Sequence, residues 1–387
     1  MSPEPSTPAR PGIRLWCSRA VTPAGERRGV LLDVVDGRIA HLQSTDRVPA
    51  DAQTLTGWVV PGFVDTHAHG GGGHDYATLD ADEARAVRAF HRAHGTTTAL
   101  ASLVTADLDT LVAQITTLGP LVRTGELAGL HLEGPFLSPA KKGAHTASLL
   151  RWPTAEAVDR LLEAADGTLA MVTVAPELPG ALDAIARLVA GGVAVAVGHT
   201  DGDETDARRA LDAGASVATH LFNAMRPVHH REPGPVPVLL GDERVMVELI
   251  GDGFHLHRDV VRMAVDAAGL DRVALITDAM VATGMPDGGY TLGGLDVVVR
   301  RGEARLLEED GSPGSIAGST LTMAAGFAFL VSLGMSVPGA AHLAASTPAR
   351  WHGLRGVGRI ESGAVADLCV VDEAGRLQRV MQNGTWV

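Results

Sequence analysis

Eight short apolar runs alternate with amphipathic stretches along the middle of the chain, between Trp58 and Met280. Valine, alanine and leucine follow one another in these runs without regular polar interruption, which is typical of strands buried on both faces of a sheet. The runs read WVVPGFVDTH, TTTALASLVT, LAGLHLEG, LAMVTVAPE, VAVAVGHT, SVATHLFN, RVMVELIGD and RVALITDAM. The pattern therefore predicts eight buried parallel strands.

The segments between the runs carry apolar residues at helical spacing. In DADEARAVRAFHRAHG, acidic residues fill the first turn, Ala84, Val87 and Phe90 recur every third position, and Gly95 ends the pattern. Four further stretches behave likewise: TAEAVDRLLEAA, ALDAIARLVAGG, DETDARRALDAG and RDVVRMAVDAAG. Strands interleaved with helices in this way predict an α/β fold, a (β/α)8 TIM barrel. Two Pro-, Gly- and His-rich segments, 141–152 and 225–242, are predicted to be long loops over its mouth.

Both ends of the chain differ from the middle. Strand-like segments with turn signals occur near the start, in VLLDVVDGRIAHL, and at the end, in ADLCVVDEAGRLQRVMQNGTWV. We therefore expect residues 1–57 and 351–387 to form together one small β-sandwich domain beside a catalytic barrel at 58–350. Residues 290–307 are also strand-like, with Gly293 and Gly294 at a turn, and are predicted to form a hairpin insertion.

Composition excludes several classes of partner. The formal net charge of -13 argues against a nucleic-acid or membrane-surface binder, because either normally presents a broad basic face. The first dozen residues, MSPEPSTPARPG, lack the apolar core of a signal peptide, and no apolar run reaches the ~20 residues of a spanning helix. We expect a cytoplasmic protein. Its two cysteines, Cys17 and Cys369, are predicted to be buried free thiols.

Candidate ligands for a metal follow the apolar runs. Residues at the carboxyl ends of barrel strands line the active site of such folds, and six side chains able to bind metal or transfer protons fall there in five of the runs. They are His67, His69, Glu133, His199, His220 and Asp278. One such residue alone is explained by a polar cap, but their joint placement predicts a metal site.

The donor set restricts the metal. Imidazoles and carboxylates without thiolates suit zinc, iron, manganese or cobalt, with zinc as our first choice. Glu133, His199 and His220 would give one ion three ligands and an open position, as in hydrolytic sites. A second ion about 3.5–4 Å away could be held by His67, His69 and Asp278, with Glu133 as a bridge. In the alternative interpretation, the two histidines after the first run only orient loops or substrate.

Nine motifs in order carry a resemblance to a known family. They are PGFVDTHAHG, HLEGPF, GAHT, VGHTDG, THLFNAM, REPG, GDGFHL, TDAM and IAGST. Together they resemble the N-acetylglucosamine-6-phosphate deacetylase family of the amidohydrolase superfamily, from about Val59 to Met323. The resemblance implies a metal-dependent barrel of the amidohydrolase type with a small β domain. It also implies hydrolysis of the acetamido group of an amino-sugar phosphate in amino-sugar catabolism and cell-wall recycling.

The resemblance also implies roles for individual residues. Glu133, His199 and His220 would bind the main metal, and the retained His67 and His69 place the chain with relatives able to bind two. The substrate contacts that it implies are His145 and His255, with Asn223 and Ala224 at the phosphate end and Arg231 reaching the neighbouring subunit's substrate in a homodimer. Asp278, at the end of the last strand, would then transfer the proton, and His145 would help to polarise the carbonyl.

Some of these residues have simpler interpretations. Arg226, His229, His230 and Arg231 form the densest basic cluster, which suits a sugar phosphate but also a solvated loop. For Lys141 and Lys142, beside GAHT, simple surface exposure is favoured. Asn223 could be a turn former. His257, two residues after His255, is interpreted as structural.

Three other functions remain as alternatives. An N-acetylgalactosamine-6-phosphate deacetylase would share the metal chemistry and differ at contacts to the C4 hydroxyl. A cyclic amidase or dihydroorotase-like enzyme has no obvious use for the FNAM and REPG segments. A catalytically dead barrel kept for protein interactions should have lost ligands, whereas all six candidate positions are filled.

Overall fold

The structure of the chain, a computed structural model, describes residues 12–387; the first eleven residues of the predicted small domain lie outside this range. The strands, numbered in chain order, are β1 (Ile13–Thr22), β2 (Gly25–Val35), β3 (Arg38–Ser44), β4 (Gln53–Pro61), β5 (Phe63–Asp65), β6 (Gly70–Gly71), β7 (His74–Asp75), β8 (Thr96–Val104), β9 (Gly129–Glu133), β10 (Leu169–Val174), β11 (Ala194–Val197), β12 (Val217–Ala218), β13 (Met246–Ile250), β14 (Val273–Ile276), β15 (Gly288–Leu292), β16 (Leu295–Arg300), β17 (Glu303–Leu307), β18 (Pro313–Ile316), β19 (Leu368–Val371), β20 (Leu377–Gln382) and β21 (Thr385–Trp386).

The helices are α1 (Ala81–Ala93), α2 (Leu108–Arg123), α3 (Ala155–Ala165), α4 (Ala181–Ala190), α5 (Glu204–Asp212), α6 (Val236–Gly241), α7 (Arg258–Ala268), α8 (Met323–Ser332), α9 (Val337–Ala341) and α10 (Thr347–Trp351). Two 3₁₀ turns, Pro139–Lys141 and Ala147–Leu149, follow β9, and a π turn, His342–Ser346, joins α9 to α10. In the described part of the chain, no helix combines the length and apolar character needed to cross a bilayer.

The predicted barrel is confirmed. Strands β5 and β8 to β14 form one parallel sheet in chain order. Its two edges meet just beyond the strand ends, where Ala68 pairs with Ala279 and the Asp278 amide donates to the His67 carbonyl at 2.8 Å. This closure brings the ends of the first and last barrel strands into direct contact.

The barrel interior is layered from apolar to polar. The lower layer is apolar and consists of Leu100, Met171, Ala196, Val217, Met246 and Ala274. Two residues further along the same strands, the buried side chains include Ser102, Thr173 and Glu248. Because side chains alternate along a strand, a step of two residues returns to the interior one layer higher. The core therefore becomes polar as the strands approach their carboxyl ends.

The five amphipathic stretches identified in the sequence all form helices, α1, α3, α4, α5 and α7. In α1, the Asp80 side chain accepts the Asp82 amide at the N-cap, and Ala84 and Val87 are buried as their spacing predicts. The second predicted mouth loop, 225–242, is wrong in its last third, which forms α6 and buries Val236 and Leu239. Proline is tolerated in the first turn of a helix because the amides there have no intrahelical acceptor.

Both termini contribute to a small β domain, as predicted. Hydrogen bonds join its strands into a single sheet, in the order β21-β20-β19-β4-β1-β2-β3, around a core of its own. Strand β4 crosses the predicted boundary at residue 58, since it runs on to Pro61 and pairs with β1 and β19. The first apolar run therefore serves two sheets, and Gly62 separates them.

The predicted hairpin at 290–307 is larger than expected. Strands β15 to β18, residues 288–316, form a four-stranded antiparallel sheet inserted after the last barrel strand. It has a small apolar core that includes Leu292, Val297 and Leu306. Leu292 and Ile316 also line the cavity described below, so the insertion forms part of the wall of the barrel mouth.

Both thiols are free and fully buried, as predicted for Cys17 and Cys369. Burial disfavours the thiolate and raises the pKa of Cys17 to about 12 and that of Cys369 even further above its usual value. We therefore expect no reaction of native protein with a chromogenic disulfide reagent at pH 8, and two thiols per chain after unfolding in guanidinium. Rapid labelling of native protein would contradict the burial.

Candidate active site

All six strand-end residues of the sequence prediction meet at the carboxyl end of the barrel, and all are buried. Potential ligand atoms of His67, His69, Glu133 and Asp278 lie within 4.8 Å of one another. Those of Glu133, His145 and His199 form a second, overlapping group. Glu133 is the member that both groups share.

Glu133 lies between two pairs of histidines. Its Oε1 is 3.0 Å from His199 Nε2 and 2.8 Å from His220 Nε2. Its Oε2 faces the other pair, at 3.0 Å from His69 Nε2 and 3.5 Å from His67 Nε2. Asp278 Oδ1 completes the second group at 3.2 Å from His69 Nε2. One carboxylate thus presents a separate oxygen to each histidine pair.

Hydrogen bonds on the far side of the rings determine which nitrogen carries the proton. His69 Nδ1 lies 3.1 Å from the Ser102 carbonyl, and His199 Nδ1 lies 2.9 Å from the Lys141 carbonyl. A carbonyl only accepts, so each Nδ1 donates and each neutral ring turns an Nε2 lone pair toward Glu133. The Nε2 atoms within each pair are only 3.2 Å and 3.1 Å apart. Lone pairs converging on carboxylate oxygens are the arrangement that a divalent cation stabilises.

Sequence reasoning missed the partner of His67. Glu248, on β13, is fully buried, and its Oε2 lies 3.3 Å from His67 Nδ1. Its Oε1 accepts the Thr66 hydroxyl at 2.9 Å. The signal was present in RVMVELIGD, where a single carboxylate interrupts an otherwise apolar barrel strand. A buried carboxylate needs such partners, and this one holds the His67 ring toward the cluster.

The two carboxylates of the cluster stabilise positive charge placed between them, on an imidazole or on a bound cation. Burial favours the neutral His69 ring, but Asp278 and Glu133 outweigh it and raise the pKa of His69 to about 9. Burial would raise the pKa of both carboxyls, but His67 and the neighbouring imidazoles hold that of Glu133 well below its usual range. The His69 hydrogen bond and His67 lower the pKa of Asp278 to about 2. Binding of a divalent cation would displace the imidazole protons that otherwise balance these carboxylates.

The backbone at three of these residues lies in the left-handed region. The φ angles are +48° at His199, +24° at His220 and +51° at Asp278. Positive φ is uncommon for any residue except glycine, even for histidine and aspartate, and where surrounding structure enforces it the position is commonly functional. The chain thus leaves the extended conformation where these three side chains follow their strands.

A cavity of about 410 Å³ opens directly above the cluster. The four substrate-side residues His145, Asn223, Ala224 and His255 line it. Arg231 does not, because it is exposed and its Nη1 lies 2.8 Å from His230 Nε2. The structure therefore brings together, in one chain, all the predicted site residues except Arg231.

The side chains around the cavity differ in their hydrogen-bond partners. His145 Nε2 lies 3.5 Å from Glu133 Oε2, and burial lowers the pKa of His145 to about 4. His255 Nδ1 lies 2.6 Å from Asp252 Oδ2, which leaves its other nitrogen for a ligand. The Asn223 amide donates to the His220 carbonyl at 3.1 Å and so also stabilises the loop. His257 is exposed and caps α7, which agrees with its structural interpretation.

The expectation of simple surface exposure is wrong for Lys141. The side chain of Lys141 is only 25% exposed, and the residue lines the cavity. Lys142 is not part of the lining, and its Nζ lies 3.4 Å from the Gly143 carbonyl. Lys141 is the last residue of the 3₁₀ turn Pro139–Lys141, and its carbonyl lies 2.9 Å from His199 Nδ1.

Comparisons with known proteins give consistent results. A model described as "Amidohydrolase family" matches residues 58–387. An N-acetylgalactosamine-6-phosphate deacetylase from Escherichia coli O157:H7 is 36% identical over 96% of this chain and 98% of its own length. An N-acetylglucosamine-6-phosphate deacetylase from Vibrio furnissii is 35% identical over 96% of this chain and 90% of its own.

A solved structure is similar over nearly its whole length. It is a mutant N-acetyl-D-glucosamine-6-phosphate deacetylase from Mycobacterium smegmatis in complex with N-acetyl-D-glucosamine-6-phosphate. It is 44% identical, has a TM-score of 0.92, and covers 97% of this chain and 99% of that one.

Proposed function

Since the chain belongs to the amidohydrolase family, we propose that it hydrolyses N-acetyl-D-glucosamine 6-phosphate to acetate and D-glucosamine 6-phosphate. The observation that carries the proposal is Glu133 between two histidine pairs at the floor of the cavity. Above that floor, His145, Asn223, Ala224 and His255 line the space that a substrate would occupy. The relatives named above act on this class of compound, according to their names.

The described residues fit a divalent metal, with zinc as the first choice. Glu133, His199 and His220 would hold one ion, and His67, His69 and Asp278 would hold a second that shares Glu133. Such an ion acts as a Lewis acid and lowers the pKa of water toward about 7. Glu248 and the carbonyls of Ser102 and Lys141 fix the orientation of three of these imidazoles, whose Nε2 atoms would then be available to the metal.

Asp278 is placed to transfer the proton. Its carboxylate lines the cavity and remains ionised, so it can accept a proton from the attacking water. The C–N bond of the tetrahedral adduct then breaks, and Asp278 returns the proton to the departing nitrogen. Asp278 is regenerated as a carboxylate, and the acid proton of the released acetic acid passes to the amine, so the products are acetate and the protonated amine.

His145 and His255 would orient the substrate. His145 Nδ1 has no hydrogen-bond partner among the described residues, although it is buried. The neutral His145 ring carries a single N–H, and this N–H would stabilise the developing oxyanion if the substrate took the place of Glu133 as its acceptor, a contribution worth about 3–4 kcal/mol per donor. His255, anchored by Asp252, also lines the cavity and would contact the sugar or its phosphate.

The test is acetate release by protein stripped with a chelator and then titrated with zinc, iron(II), manganese or cobalt. Activity should return with metal, require the 6-phosphate, and be absent with unphosphorylated N-acetylglucosamine. Counting bound metal per chain separates one ion from two. No acetate release with any of these metals would overturn the proposed reaction.

One observation favours a second candidate substrate. The relative from E. coli O157:H7 is named for N-acetylgalactosamine 6-phosphate and is 36% identical over nearly the whole chain. The 44% identical structure contains the gluco sugar, and this supports N-acetylglucosamine 6-phosphate as the main substrate. Measuring kcat/KM for both sugars in parallel distinguishes the two substrates, since the sugars differ only at C4.

We place the enzyme in the cytoplasm, where two free thiols stay reduced.

We expect activity to require a homodimer in which Arg231 reaches the neighbouring active site. Arg231 is exposed and lies outside its own cavity, and arginine binds phosphate with paired N–H donors. Mixing inactive Arg231→Ala and Asp278→Asn subunits should restore activity, because one site of a mixed dimer then has both residues. A size measurement confirms that mixed dimers form, and their remaining inactive would contradict the shared site.

A further inference from the structure

Lys141 is the only lysine or arginine among the described residues that line the catalytic cavity. The other polar groups there are histidines, one asparagine, one serine and the carboxylates of Glu133 and Asp278. The whole chain is also acidic, with a formal net charge of -13. A phosphorylated sugar that enters this cavity therefore meets one permanent cation from its own subunit.

The choice of lysine is unusual for this chain. Of its 32 lysines and arginines, only Lys141 and Lys142 are lysines, although arginine fills every other cationic position. An ammonium is a compact point charge on a flexible stem, whereas a guanidinium is a wide planar fork. The one cation of the cavity is thus a lysine in a chain that otherwise uses arginine, so the charge there is carried by a compact group on a flexible stem.

The side chain of Lys141 is held only loosely. Its Nζ lies 3.5 Å from Asp201 Oδ1, and the Asp201 side chain is 40% exposed. Exposed ion pairs of this kind contribute little to stability. Asp201 Oδ2 also lies 3.4 Å from Arg226 Nη2, so Asp201 keeps a cationic partner when Lys141 turns away. The ammonium is therefore free to exchange Asp201 for a substrate anion.

The backbone of Lys141 contacts the proposed metal ligands. Its carbonyl accepts a hydrogen bond from Nδ1 of His199, a proposed metal ligand, at 2.9 Å. A single residue thus contacts the metal end through its main chain and faces the cavity through its side chain. Substitution of the side chain leaves this carbonyl in place.

We propose that Lys141 binds the substrate phosphate from within the same subunit and determines the preference for phosphorylated over unphosphorylated amino sugars. The inference rests on the proposed deacetylase function and adds a residue to it. Lys141 complements Arg231, which would approach from the neighbouring subunit. The phosphate is then held by one cation from each chain.

The test compares two substitutions that remove the same charge from adjacent positions, Lys141→Met and Lys142→Met. For Lys141→Met, we expect KM for N-acetylglucosamine 6-phosphate to rise about 10- to 100-fold, the effect of losing one hydrogen bond to a charged group. The kcat should change little, since the phosphate is bound alike in the ground and transition states. Metal content should equal that of the wild type, and Lys141→Arg should recover part of the loss.

Binding of glucosamine 6-phosphate and of glucosamine, measured by calorimetry, separates this inference from the proposed reaction. If the wild type does not release acetate, the reaction fails, but weaker binding of only the phosphorylated sugar to Lys141→Met still supports the phosphate site. An unchanged affinity and KM in Lys141→Met would overturn the inference. An equal loss in Lys142→Met would overturn it as well, because the effect would then be general electrostatics.

Discussion

Replacement of Asp278 with asparagine is expected to lower kcat by about 10⁴-fold, at the upper end of general acid–base contributions. Asparagine keeps the shape and one oxygen of the side chain but cannot accept the proton of water at neutral pH. The left-handed backbone at this position, with φ of +51°, is also tolerated by asparagine, so the fold should not change. The measurement is steady-state acetate release with substrate affinity determined separately.

The controls for Asp278→Asn address its second proposed role as a metal ligand. Bound metal is counted in the variant, and glucosamine 6-phosphate affinity is measured at the same metal content. The expected outcome is near-normal binding together with very slow turnover. If the variant keeps kcat within tenfold of the wild type, Asp278 is not the residue that transfers the proton.

Replacement of Glu133 with glutamine is expected to weaken metal binding strongly and to abolish activity. Glutamine keeps the size of the side chain but turns one oxygen into an amide group, so one of the two histidine pairs would face a donor in place of an acceptor. The remaining oxygen is uncharged. We expect metal affinity to fall by more than about 100-fold, since even partners outside the ligand set cost 10- to 100-fold.

Metal content after dialysis against a defined zinc concentration measures this effect directly, without relying on activity. Glu163→Gln, an exposed position on α3, removes a charge of the same sign and serves as the matched control. Circular dichroism establishes that the Glu133→Gln barrel is folded. A folded variant with wild-type metal content would show that the metal, if bound, lies elsewhere.

Much of the barrel was predictable because parallel strands and their helices leave strong local patterns. Each apolar run matched a barrel strand, although the first run, at Trp58, turned out to divide at Gly62 between two sheets. The apolar pattern of a run shows that its residues are buried but not which sheet they join, so it could not show this division. For the same reason, the short helix α6 was missed within a Pro- and Gly-rich segment.

The placement of the six candidate ligands was predictable from their positions at the ends of the apolar runs. A residue at the carboxyl end of a barrel strand points into the mouth whatever its neighbours are, and His67, His69, Glu133, His199, His220 and Asp278 all do so. The resemblance added the cavity residues His145, Asn223, Ala224 and His255, which the structure places in one lining. The sequence by itself thus determined the fold class and the family, and it identified the six side chains that the fold brings to one end of the barrel.

Only the tertiary structure decided which contacts each of these residues makes. Which oxygen of Glu133 faces which histidine pair, the support of His67 by Glu248, and the entry of Lys141 but not Lys142 into the cavity depend on distances of a few ångströms. These contacts join strands and loops that are far apart in the chain. Sequence spacing governs direction within an element, whereas contacts between elements are set by barrel closure and packing, which no local pattern encodes.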